Sequence, residues 1–331
     1  MAAVLKPEWS KPGVILFAAE VPANEEAFCY ALAQAVESQA TLVLFHAWEM
    51  PSISGSSSAG QDAGVGAELV ASLEYIEPGS LQRAETRALA PLARRARAAG
   101  VHCRVVVRQG NAADEILEAA RETGAGRIVV GTHALGHIGK LLIGSVAESV
   151  LRRAHVPVLI VGPEVTGHPP QGFGPRIVLC AVSHVATGAP VVAFAAEIAD
   201  RLHARLILQH VIRDQECKDV LARRCVGEIE SLMIDMVPMR LRQKVHPQPV
   251  VTPGEPAQKL IDQSRALNAD LIVMGAYGAS AFSAISRHGV VYRVMAEAQC
   301  PVLALSPAVL ETGGAKVKFI EFSETYLAGV I

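Results

Sequence analysis

Four residues stand out as able to do chemistry: Gly131, Gly144, Ser145 and Val146, placed where a strand gives way to a loop and the loop to a helix. A glycine at a strand end and another at a helix start let backbone N–H groups approach phosphate oxygens, and a serine beside the second adds a hydroxyl donor. The segment reads Gly131-Thr132-His133-Ala134, nine residues, then Gly144-Ser145-Val146. It predicts a phosphate-holding turn.

Such a turn needs a parallel sheet behind it, and the chain supplies one twice. Residues 101–163 and 245–307 align without a gap at a constant offset of 144, with 18 identities over 63 positions. Self-similarity at a fixed offset marks a duplicated domain. Gly110 pairs with Gly254, Gly131 with Gly275, and Pro157-Val158-Leu159 with Pro301-Val302-Leu303. Earlier in each copy, Ile15 matches Ile177 at offset 162 and His46 matches His210 at offset 164, so the drift maps where loops differ. Short apolar runs alternate with helical patterns, which predicts βαβ units and a parallel sheet. Strands are expected near residues 14–19, 41–48, 103–107, 127–130 and 156–161, and again near 177–181, 206–211, 248–251, 271–274 and 302–305. Five strands and four helices per copy is the expected count. The domains are read as 1–163 and 176–307, joined by a Pro- and Gly-rich linker over 164–175 and followed by a tail, 308–331. The tail alternates polar and apolar residues over 316–322, which fits either an edge strand or a frayed terminus. Residues 51–66, rich in Ser and Gly, read as a mobile loop.

Composition narrows the functional classes. The 331 residues are 51% hydrophobic but only 5% aromatic, an aliphatic content that fills a sheet covered by helices. A net charge of -2 leaves no footprint for nucleic acid or an anionic membrane, so neither is expected as a partner. Cys29, Cys103, Cys180, Cys217, Cys225 and Cys300 form no C-x-x-C pair, which predicts buried reduced thiols and a cytoplasmic protein. No uncharged apolar stretch reaches the roughly 20 residues of a membrane span, and no signal peptide is visible.

The glycine spacing, followed by the Pro157-Val158-Leu159 strand, resembles the universal stress protein family. Nucleotide-binding members of that family carry Gly, two residues, Gly, nine residues, then Gly followed by Ser or Thr. The resemblance extends over both copies and takes in His46 and His210 and the turns Gly110-Asn111-Ala112 and Gly254-Glu255-Pro256. It implies an α/β fold of two tandem doubly wound domains, each a five-stranded parallel sheet in the order 3-2-1-4-5 flanked by helices. It also implies ATP or AMP at the carboxyl edge of the first domain's strands, where open α/β sheets bind ligands. The site carried over comprises Glu20, Gly131, Ala134, Gly144, Ser145 and Val146. Ala134 stands where the family has its second glycine, and Glu20 where it has an aspartate near adenine and ribose. In the second copy, Gly275-Ala276-Tyr277-Gly278 keeps both early glycines, but His288-Gly289-Val290 places His at the third glycine position, and Val182 aligns with Glu20. The second copy is therefore expected to be degenerate.

Other motifs carry less. Residues 134–140 mimic a P-loop, but Ala134 replaces its first glycine and Leu141 its magnesium-holding Ser or Thr. His137-Ile138-Gly139-Lys140 is half of a nucleotidyltransferase signature on the wrong strand. His133 and His137 have no Cys or carboxylate nearby to complete a metal site. His46 and His210 read as satisfied buried histidines, and Arg94-Arg95-Ala96-Arg97 as a solvated helix face. No catalytic triad is present, so slow ATP hydrolysis is the most that is expected. The two domains are expected to pair through their last strands in place of the family's homodimer, with further dimerisation between chains open. A nucleotide-binding stress regulator is the first expectation; an interaction or scaffold module of the same fold without nucleotide is the alternative.

Overall fold

The computed structural model describes residues 7–49, 78–132, 143–166, 169, 174–183, 188–212, 222–276 and 289–312. The strands are β1 (Val14–Ala18), β2 (Thr41–Trp48), β3 (Cys103–Gln109), β4 (Arg127–Gly131) and β5 (Val158–Val161). Their copies are β6 (Ile177–Ala181), β7 (Arg205–Ile212), β8 (Gln248–Pro253), β9 (Leu271–Gly275) and β10 (Val302–Leu305). The order β3-β2-β1-β4-β5-β10-β9-β6-β7-β8 gives each half the arrangement 3-2-1-4-5. All pairs within a half are parallel. β5 and β10 pair antiparallel, Leu159 opposite Leu303, so the two half-sheets join into one of ten strands. These are the last strands of each copy, apolar edges that bury themselves against one another.

The apolar runs become strands because helices cover both faces. In β1, Ile15 and Phe17 point to one face and Leu16 to the other, and all three are buried. Each face carries a core that crosses the seam. One includes Phe17, Leu159 and Leu303; the other includes Leu16, Ile160 and Val302.

In the first half the helices are α1 (Pro7–Ser10), α2 (Glu25–Ser38), α3 (Pro78–Ala98), α4 (Ala112–Thr123) and α5 (Ser145–Arg153). In the second they are α6 (Ala189–Leu202), α7 (Ala222–Met236), α8 (Met239–Val245), α9 (Pro256–Leu267), α10 (Val290–Glu297) and α11 (Pro307–Thr312). The expected four helices per copy therefore fall short. Where the first half has the single helix α3, the second has α7 and α8, split at Val237-Pro238. Pro238 has no N–H to give and its ring crowds the preceding turn, so one helix ends and another begins there.

The seam holds a buried cation. Arg127, 1% exposed, donates to Gln34 Oε1 at 2.9 Å and to the Trp9 carbonyl at 2.6 Å, which ties α1 to the start of β4. Burial, and then the charge of Arg201, push its guanidinium down to about 9, while Glu37 pulls the other way. It stays a cation at neutral pH. Arg201 on α6 pairs in turn with Glu37 on α2, across the domains. The thiols of Cys180 and Cys300 are pushed up to about 12, chiefly by burial, and are poor nucleophiles.

The two equivalent turns cap their helices by different means. Gly110 and Gly254 take positive φ values of 147° and 135°. Asn111 Oδ1 then accepts from the Asp114 N–H, whereas Glu255 Oε1 accepts from the Ala257 N–H and Oε2 from the Gln258 N–H and, at 2.7 Å, from Arg293 of α10. Burial raises the Glu255 pKa, but these N–H groups and Arg293 outweigh it and hold the carboxyl below its ordinary 4.5. A carboxyl depressed on folding adds stability that is present above its unfolded value and is lost as pH falls through its folded one. Glu255→Gln should thus lower the urea midpoint at pH 7, with the gap to the unaltered protein narrowing progressively as pH falls below 4.5. A gap that stays constant would remove Glu255 from the acid response.

The hydrogen-bond pattern corrects the alignment of the copies at two places. Ala19 donates to the Phe45 carbonyl and accepts from His46, while Val182 donates to the Gln209 carbonyl and accepts from His210. Val182 is thus the counterpart of Ala19, at offset 163, and Glu20 corresponds to Ser183 rather than Val182. Likewise Ile15 faces the same core as Val178, not Ile177. At the other place, Gly289 caps α10 with φ -64° and ψ 153°, matching Gly144 at α5 with φ -62° and ψ 150°. Gly289, not His288, is the counterpart of Gly144. The second copy therefore keeps the capping glycine, and a Val follows it in place of Ser145.

Candidate functional site

The sheet order reverses between β1 and β4, so the connections leaving their carboxyl ends diverge and open a crevice. Four turns meet there. After β1 come Ala19, Glu20 and Val21. At the end of β2, the His46 ring donates Nδ1–H to the Ala19 carbonyl at 2.8 Å, fixing the turn that carries Glu20. Its Nε2 lies 3.6 Å from Glu85 Oε2 on α3. His210 repeats the bond to Val182 at 2.8 Å, so both histidines latch strand ends together. Both are satisfied, as expected, but half-buried rather than buried, and His46 also lines the crevice.

β4 ends at Gly131, and Thr132 continues along β5 with its N–H on the Val161 carbonyl at 3.0 Å. A Cβ on Gly131 would stand 2.8 Å from Asn24 Cγ. Asn24 is the N-cap of α2, accepting from Ala27 at 2.8 Å, so the glycine at 131 is required by packing. Gly144 is different. Its backbone is ordinary extended chain, and a Cβ there would meet none of the described residues within 4 Å. Neither its conformation nor its packing among the described residues asks for glycine at 144.

These turns bound a cavity of about 650 Å³, in the range that takes a small organic ligand. Of the residues named from the sequence, Glu20, Gly131, Gly144, Ser145 and Val146 all line it; Ala134 lies outside the described residues. So do residues 51–66, His133, His137, Lys140 and the tail beyond Thr312. Sequence reasoning missed Thr132, Ile143, Glu148 and Tyr292, the last from the second domain. Thr132 and Ile143 adjoin the glycines and were legible by adjacency. Tyr292 has no local signal, because it arrives across the seam.

The opening turn of α5 has no side-chain cap among the described residues, and Gly144, Ser145 and Val146 of that turn line the cavity at the positive end of the helix dipole. Two carboxylates, Glu20 and Glu148, line the described part, with no Lys or Arg among the described lining residues. Among the described residues, any pull on an anion there comes from backbone N–H groups and neutral hydroxyls. Among the described residues no group of three His, Cys, Asp or Glu is placed to hold a metal ion, and no helix is long and apolar enough to cross a membrane.

The model of the universal stress protein family matches residues 13–162 and again 175–306, most of the chain. The chain belongs to the universal stress protein family. Two copies of the family's domain therefore stand in tandem, as the internal repeat implied. A universal stress protein of Mycolicibacterium smegmatis is 25% identical over 224 residues, 63% of this chain and 70% of its own length. One from Methanocaldococcus jannaschii is 42% identical over 62 residues, 19% of this chain and 36% of its own length, so that match spans about a third of the relative. The crystal structure of a universal stress protein from Archaeoglobus fulgidus superposes with a TM-score of 0.64 over 90% of this chain and 97% of that one. Its 16% identity speaks to the fold alone.

Proposed function

We propose that this universal stress protein is a cytoplasmic stress-response regulator that holds one adenine nucleotide, ATP or AMP, in its first domain. The domains run 1–163 and 176–307, with residues 164–175 between them. Gly144 carries the reading: it is a glycine that the described residues do not require, beside helix N–H groups with no side-chain cap among them, on the wall of a cavity at the sheet's switch point. In this reading Gly144, Ser145 and Val146 hold phosphate through backbone N–H and hydroxyl donors. Glu20 hydrogen-bonds ribose or adenine, and Gly131 shapes the strand end from which the loop departs. No residue is assigned a catalytic part.

One observation favours a second reading, in which the fold works as an interaction module without nucleotide. Two carboxylates and no described cation line the cavity, an arrangement that opposes a polyphosphate.

Native mass spectrometry of the full chain, titrated with ATP and with AMP, separates the two. One nucleotide per chain is expected. A nucleotide bound only by the folded state at a hundred times its Kd should also stabilise the protein by about 2.7 kcal/mol, read as a higher melting temperature. No binding and no shift at millimolar ligand would overturn the first reading and leave the second.

A further inference from the structure

Tyr292 belongs to the second domain but stands in the first domain's cavity. It lies in the first turn of α10, and its phenol oxygen accepts the Ile143 N–H at 2.8 Å. Ile143 is 8% exposed and immediately precedes Gly144, so the bond fixes the approach to the capping glycine. A tyrosine hydroxyl has one proton to give. With its oxygen turned to the Ile143 N–H, that proton is directed away from Ile143.

The seam sets this placement. Three residues along α10, on the same face, the Met295 carbonyl meets Gly162 so closely that a Cβ on Gly162 would lie 2.2 Å from it. The ring is thus delivered by a backbone-to-backbone contact. The reverse arrangement is not mirrored. Counted from the helix start, the first-domain counterpart of Tyr292 is Ala147; counted from the helix end, it is Glu148. Neither has a hydroxyl. Two identical subunits would have to present the same residue to both cavities, whereas fused copies can diverge.

We infer that Tyr292 is a binding residue for the ligand in the first domain, donating its hydroxyl proton to a phosphate oxygen, so the second domain completes that site. The inference rests on the nucleotide reading above. Where the described wall offers no Lys or Arg, one neutral donor across the seam carries more of the phosphate contact. The ring itself bounds the cavity whether or not the hydroxyl is present.

Tyr292→Phe removes a single oxygen and keeps the ring. Calorimetric titration of the full chain with AMP and with adenosine should show AMP affinity reduced about tenfold and adenosine affinity changed less than about twofold. Adenosine lacks the phosphate, so a merely structural role would weaken both ligands alike, and that outcome overturns the inference. Equal AMP affinity in variant and unaltered protein overturns it too and leaves the nucleotide reading standing. If the unaltered protein binds neither AMP nor ATP, both fall together.

Discussion

Gly162→Val is expected to break the seam between the domains. The added Cβ would sit 2.2 Å from the backbone oxygen of Met295, closer than real side chains come, and the obstacle is helix backbone that cannot rotate away. Relief requires α10 to retreat from the end of β5, which pulls on the β5–β10 pairing and on both shared cores. Overpacking of well-filled sites costs about 1–3 kcal/mol where side chains can adjust, and here they cannot, so a loss above about 3 kcal/mol is expected. Denaturant titration reads the loss, and small-angle scattering reads the accompanying separation of the halves. Gly13→Ala is the control, since nothing lies within 4 Å of the Cβ it would gain. A Gly162→Val protein as stable and compact as the unaltered one would show that the close approach does not hold the domains together.

That seam was legible in outline. The runs Val156 to Val161 and Val302 to Leu305 are apolar and end their copies, so mutual burial was their natural fate, and the antiparallel register bears it out. Strand order and tandem organisation followed from the repeat and the family resemblance, and both are present. The error lay in register. β1 and β6 are apolar on both faces, so they lack the in-and-out alternation that would betray a slip of one residue. Matching Ile15 to Ile177 looked like an identity, yet the hydrogen bonds of Ala19 and Val182 move the frame by one and turn the counterpart of Glu20 into Ser183. Gly289 was missed for a related reason. The segment before α10 is one residue longer than that before α5, and loop residues carry no periodicity to record an insertion.

The corrections alter the picture of the second copy. It retains a glycine at the start of α10 and a hydroxyl at Ser183, and lacks the carboxylate of Glu20 and the hydroxyl of Ser145. At these described positions its divergence is one of side-chain chemistry rather than of backbone shape. In the first copy the two glycines have also come apart in meaning. Sequence spacing treated Gly131 and Gly144 as one phosphate motif, but only a structure can show that the first is forced by Asn24 and the second by none of the described residues.

Gly144→Val turns that difference into a measurement. The extended backbone at 144 accepts a β-branched residue, and its Cβ would meet none of the described residues, so the folding cost should stay near the roughly 1 kcal/mol of an altered helix cap. The same isopropyl group would occupy the approach to the Ser145 and Val146 N–H groups, and a ligand kept from them loses several charge-assisted hydrogen bonds at once. Affinity for AMP and ATP should fall by about a hundredfold or more, equivalent to about 2.7 kcal/mol. Gly131→Ala should behave in the opposite sense. Its Cβ strikes the Asn24 side chain that caps α2, so stability should fall by about 1–3 kcal/mol, and nucleotide affinity, measured on the folded fraction, should change less than in Gly144→Val. Calorimetric titration beside thermal melting distinguishes the two patterns. Unchanged nucleotide affinity in a folded Gly144→Val protein would remove the helix start from the site and return the cavity to the interaction reading.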